Sequence, residues 1–146
     1  MKFGDSYKEY TRREKVWLYK PPRQPKPRVP ESTKSEVEKR CNEFVESVLK
    51  PKYIKPHPKN ERFNYIVDIF TKWYRNYFYF CAKYHSPGPN AISPFFETKF
   101  ARIEYVSKDQ FNLSYMRHTG QWWEIFRGLS LNECIEDIKD MPHFTP

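Results

Sequence analysis

Cys81 and His85 stand four residues apart in the most aromatic stretch of the chain. On a helix that spacing turns a thiol and an imidazole to one side, as two ligands of one metal ion require. Nothing nearby completes the set. His57, His118 and His143 are scattered, and Cys41 and Cys134 fall in other segments. The pair therefore reads as a buried thiol and a cation favoured at a helix C-terminus. Cys134 lies on an apolar face with no activating base beside it. No acidic pair sits in an otherwise apolar segment, as a general acid with a raised pKa would need. The chain has no P-loop, no GxGxxG and no GxSxG pattern. These residues point to a protein that is not an enzyme and that uses no metal and no cofactor.

A second chemistry is better represented. Basic residues interleave with aromatics over residues 10–28, YTRREKVWLYKPPRQPKPR, and over residues 72–80, KWYRNYFYF. That mixture neutralises phosphates and stacks bases. The net charge of +8 is uneven: residues 1–31 hold nine Lys/Arg against four Asp/Glu, and residues 97–146 hold six against eight. A basic N-terminal arm suits an anionic partner, which composition leaves open as RNA, DNA, an anionic membrane surface or an acidic protein. The candidate contacts on the arm are Arg12, Arg13, Lys15, Trp17, Lys20, Arg23, Lys26 and Arg28.

The elements follow from periodicity. In residues 60–85, Phe63, Ile66, Phe70, Trp73, Tyr77, Phe80 and Tyr84 recur at alternating spacings of three and four. That spacing predicts one long aromatic-rich helix, capped by Asn60 and stopped by Pro87. Its apolar set is wide, so it is expected at the centre of the fold, with a homodimer seam along 63–84 as the alternative. Upstream, residues 21–30 contain five prolines and three cationic residues. They read as extended, polyproline-like chain, first of all a linker. A first helix is expected over 33–50, with Thr33 and Glu36 as a capping box and Pro51 as its end.

After the prolines of residues 86–96 the pattern switches to period two. Strands are expected over 99–106, 111–117 and 121–127. The turn before Gln121 sets the register. A two-residue loop would put Glu124 into the core. A three-residue loop with Gly120 in the left-handed region pairs Arg117 with Gln121 and sets Trp123 and Ile125 beside Tyr115 and Leu113. The second is preferred, and it leaves Met116, Trp122 and Phe126 as an apolar patch on the outer face. A final helix starts at Ser130, with Glu133 completing a capping box and Leu131, Cys134, Ile135 and Ile138 on one face. A central helix of roughly 25 residues, about 37 Å, would overhang strands of about 24 Å. Its uncovered end is where a partner is expected.

The fold class is therefore α+β: two helices, one long and aromatic-rich, a three-stranded antiparallel meander, a C-terminal helix and an extended basic Pro-rich arm. The expected division is an arm over 1–31 and a single domain over 32–146. The order helix, three strands, helix is similar in topology to double-stranded-RNA-binding domains. Such domains carry a lysine cluster at the start of the last helix, whereas SLNECIEDIKD is acidic here, and that family is rejected. The C-terminal half, FNLSYMRHTGQWWEIFRGLSLNECIEDIKDMPHF, resembles the end of small bacterial families of unknown function. That resemblance implies an intracellular bacterial-type protein and no particular chemistry. Three unpatterned cysteines and no apolar N-terminal run place the protein in the cytoplasm. The expected role is an accessory or assembly protein that docks on a larger protein complex through the arm and the patch of Met116, Trp122 and Phe126. The alternatives are an RNA- or ribosome-associated protein and, third, a small enzyme.

Overall fold

The computed structural model describes residues 27–56, 63–89 and 91–146. The expected arm contacts Arg12, Arg13, Lys15, Trp17, Lys20, Arg23 and Lys26 lie outside the described residues, whereas Arg28 is described and exposed.

The largest departure from expectation is the aromatic stretch. Residues 63–85 form no helix; they fold as a β-hairpin, β1 (Tyr65–Tyr74) and β2 (Tyr77–His85), joined by Arg75 and Asn76. The homodimer seam expected along a 63–84 helix therefore has no helix to carry it. The physical reason is composition. The stretch is built of aromatic and β-branched residues, which fit a pleated surface better than a helix. Its three–four spacing arises because both faces of the hairpin are rich in aromatics, so almost any period finds an apolar match. Arg75 takes a left-handed φ of 56° in the turn, a position that glycine or asparagine usually fills. The buried Asn76 locks the turn: its carbonyl accepts the Tyr105 N–H at 2.9 Å and its side chain reaches Glu104 at 3.4 Å.

The three-stranded meander is accordingly the second part of a five-stranded antiparallel sheet. Its order is β1-β2-β3-β4-β5, with β3 Phe95–Ser107, β4 Gln110–Met116 and β5 Trp122–Leu129. The turn before β5 is the one expected. Gly120 has φ 83°, the Arg117 N–H donates to the Gln121 carbonyl at 2.9 Å, and Tyr115 faces Trp123. Beyond it the register slips. Leu113 faces Phe126 and Ser114 faces Glu124, so Ile125 is the extra residue of a bulge. Ile125 and Phe126 both pack against the core, and the expected outer patch loses Phe126. Trp123 keeps its place opposite Tyr115 but is 52 % exposed, with the Arg117 guanidinium 5.0 Å from its ring.

Helices cover one face of the sheet. The first, α1 (Glu31–Phe44), widens into a π turn over Val45–Leu49 and runs on as α2 (Lys50–Tyr53). It therefore passes Pro51, which was expected to end it. The wider turn, with the Lys50 N–H donating to the Val45 carbonyl, absorbs a residue that has no N–H to give. Pro30 is the N-cap and no side chain caps α1, so the expected box of Thr33 and Glu36 does not form. At the other end α3 (Leu131–Asp140) has the expected capping box. The Glu133 N–H donates to Ser130 Oγ at 3.2 Å, and the Ser130 N–H donates to Glu133 Oε1 at 2.9 Å.

Val37, Cys41, Phe44 and Leu49 from the first helical run meet Leu131, Cys134 and Ile138 of α3 over the inner residues Ile69, Phe78, Phe80, Ala101, Ile103, Phe111 and Leu113. Phe44 packs edge-on against Phe80, and Phe144, in the 3-10 turn Pro142–Phe144, packs edge-on against Tyr115. Both ends of the chain's helical layer thus lie on the same side of the sheet.

Candidate binding face

A strand alternates its side chains between faces, so the residues next to each core position point away from the helices. In β2, Phe78 and Phe80 are fully buried, and Tyr77 and Tyr79 face the other way and are partly buried. Their outward neighbours are Lys72 and Tyr74 on β1, Lys99, Arg102 and Glu104 on β3, and Met116, Trp122 and Glu124 at the β4–β5 end. The outer face of the sheet is therefore a surface of aromatic rings and cations interspersed with the carboxylates of Glu97, Glu104 and Glu124, with no helix among the described residues packed on it.

The geometry is specific. Tyr77 and Tyr79 have ring centroids 6.1 Å apart, and Tyr79 lies 5.8 Å from Trp122. The Arg102 guanidinium sits 4.5 Å from the Tyr77 ring and 4.8 Å from the Trp122 ring. Lys99 Nζ is 5.5 Å from the Tyr79 ring. Each such contact contributes on the order of 0.5–1 kcal/mol at an exposed site and fixes where the charge stands. Arg102 Nε is buried and makes no hydrogen bond among the described residues. The guanidinium is thus held between ring faces.

Two shallow depressions flank the rings. Lys72, Trp73, Tyr74, Tyr79 and Lys99 line one of about 350 Å³. Lys72, Cys81, Glu97, Thr98, Lys99, Met116 and Gly120 line another of about 330 Å³. Cys81 is at the floor of the second, and burial pushes its thiol pKa up, with Lys72 and Lys99 pulling the other way. It is a neutral packing group at neutral pH. Burial also pushes Cys41 up to about 12 and raises Cys134, so all three thiols are buried and protonated.

Among the sites expected from sequence, Met116 and Trp122 are on this face, Phe126 is on the core side, and Arg28 stands elsewhere, beside the β1–β2 turn. Cys81 and His85 do not converge. Four residues along a strand separate them by about 13 Å. His85 instead lies between Tyr65 and Phe95, with ring centroids at 5.2 and 5.1 Å. Among the described residues no group of three or more His, Cys, Asp or Glu stands close enough to hold a metal ion. Sequence reasoning missed Lys72, Tyr77, Tyr79, Lys99 and Arg102 as one surface. Its signal was present in KWYRNYFYF, where Lys72 and Tyr74 before Arg75-Asn76, and Tyr77 and Tyr79 after it, recur at period two.

A five-stranded antiparallel meander with helices on one face and an aromatic, cationic surface on the other defines the class. The sequence model of the domain of unknown function DUF3024 matches residues 29–146, and the chain belongs to that family. The match takes in the hairpin and both helical segments as well as the C-terminal half. No curated protein and no solved structure matches the chain. No helix among the described residues is long and apolar enough to cross a membrane.

Proposed function

We propose that this chain is a non-enzymatic binding protein that takes single-stranded nucleic acid, RNA in the first instance, on the open face of its sheet. The observation that supports this reading most directly is the placement of Arg102 between the Tyr77 and Trp122 rings, with Tyr79 and Lys99 alongside. Flat ring faces accept any unpaired base, and cations spaced among them neutralise the phosphates that connect the bases. A duplex offers no exposed base faces to such a surface. The acidic outer side of α3, with Glu133, Glu136 and Asp140, lies with the helices on the opposite side of the sheet and would repel phosphate there.

The test is a fluorescence titration of a labelled single-stranded decanucleotide at several salt concentrations. Binding that falls steeply with salt, weakens in Tyr79→Ala and Trp122→Ala, and prefers single strand over duplex supports the reading. No binding at low salt, or equal binding by both variants and the parent, sinks it.

A second reading keeps the docking role on a larger protein assembly. What favours it is the far end of the β2–β3 hairpin, where Ile92, Phe95 and Phe96 are exposed and Phe63 is 72 % exposed. Recovery of a protein partner that is lost in Phe95→Ser and retained in Tyr79→Ala would support that alternative.

A further inference from the structure

Beside the open face, where β1 turns into β2, Arg28, Lys34 and Arg75 line one cleft of about 490 Å³ together with Pro27, Val29 and Asn76. The three cations come from three different segments: the approach to α1, its first turn, and the hairpin turn. Convergence of like charges costs energy unless something of the opposite sign is met there. Two carboxylates stand near the cleft. Glu31 reaches Lys34 at 3.7 Å, an exposed pair, and Glu104 accepts from Asn76. Arg28 and Arg75 are exposed.

The cleft is also built rather than incidental. Arg75 holds a left-handed φ in a turn that Asn76 locks to β3. Val29 is buried in the core, which anchors the backbone on either side of it, and Trp73 Nε1 donates to the Lys34 carbonyl at 3.4 Å. The cleft adjoins the ring surface directly: the Arg75 guanidinium is 5.2 Å from the Tyr74 ring, and Tyr74 pairs with Tyr77.

We infer that this cleft is a phosphate-binding site that receives the backbone of the strand as it leaves the stacking face over Tyr77 and Tyr74. This rests on the reading of the open face as a single-strand surface and adds the route the strand takes. Guanidinium groups grip phosphate oxygens with two parallel N–H donors, and two of them facing one cleft suit an internucleotide or terminal phosphate.

The experiment uses the full chain and a single-stranded decauridylate, with binding measured from low to high salt. The cleft variant is Arg28→Gln with Arg75→Asn, because asparagine tolerates positive φ and keeps the turn. Its melting temperature is measured beside the parent's. The face variant is Tyr79→Ala. The expected result is that the cleft variant weakens binding on the order of tenfold at 50 mM salt and flattens the salt dependence by about 1.4, the loss of two phosphate contacts at about 0.7 each. Tyr79→Ala should weaken binding with little change of slope. A cleft variant with parent affinity and slope, in a background where Tyr79→Ala binds worse, overturns the cleft and leaves the stacking face standing. A parent chain that binds no oligonucleotide at low salt overturns both.

Discussion

The two faces of the sheet differ by a single step along each strand. Inward, β2 offers Phe78 and Phe80, both fully buried; outward, it offers Tyr77 and Tyr79, both partly buried. β3 repeats the contrast with Ala101 and Ile103 on one side and Lys99, Arg102 and Glu104 on the other. The inner face is mostly phenylalanine and aliphatic side chains covered by helices, and the rings there that carry a polar atom, Trp73, Tyr105 and Tyr115, are packed into or against that core. The outer face uses aromatic residues that carry a hydroxyl or an indole N–H, together with cations. Rings of that kind tolerate water at one edge and contact at the face, which is the composition of recognition surfaces rather than of cores. The difference teaches that aromatic content alone does not separate a core from a contact surface. The cations laid across the rings do.

If that contrast is right, the largest losses of stability lie inward. Phe80 is fully buried between Phe44, Phe78 and Phe100. Phe80→Ala should destabilise the fold by about 3–5 kcal/mol, read as a lower urea midpoint at unchanged slope. A comparable loss from Tyr77→Ala would break the contrast, because it would make the outer ring a core residue.

The inner face also carries a pH signature. Burial holds the Cys41 thiol at about 12 against 9.0 for an ordinary thiol, so the unfolded chain releases that proton first. Stability is therefore full below about pH 9 and falls as pH rises from 9 towards about 12. Urea midpoints measured across that window should drop less steeply in Cys41→Ala than in the parent, after allowing for the variant's lower starting stability. Parallel slopes would show that the thiol is not shielded as its burial indicates.

Two aromatic side chains on β5 sharpen the contrast within one strand. Phe126 packs on the core side of its bulge, and Trp122 lies outward against Tyr79 and Arg102. Phe126→Ala should lower stability by about 2 kcal/mol and leave oligonucleotide binding intact. Trp122→Ala should do the reverse, with a binding loss of about 1–3 kcal/mol.

These residues also show how far the sequence could be read. Ser130 and Glu133 announced α3 because a capping box is a local signal, complete within four residues. Gly120 announced its turn for the same reason. The hairpin of residues 65–85 was not legible. Its turn carries Arg75-Asn76 in place of a glycine pair, and aromatics on both faces erase the alternation that marks a half-buried strand. The bulge at Ile125 was equally hidden, because nothing local distinguishes it from regular pairing; the core's claim on Phe126 decides it. The binding face fell with the hairpin. Its cations and rings were noticed as a mixture, but only the correct period places Lys72, Tyr79, Lys99 and Arg102 on one surface.

The smallest effect concerns the device that closes the inner face. Ser130 Oγ accepts the Glu133 N–H, and Asp109 Oδ1 accepts the Leu131 N–H at 3.1 Å, so two neighbouring side chains satisfy N–H groups that the first turn of α3 leaves over. Ser130→Ala removes one acceptor and covers the vacated N–H with a methyl group, at about 1 kcal/mol. Ser130→Gly lets water reach the same N–H and should cost only a few tenths. The two variants therefore separate the cap from the packing that follows it. Because α3 lies wholly on the covered side, neither should alter the affinity or salt slope of oligonucleotide binding. A shift in either would mean that the two faces of the sheet communicate.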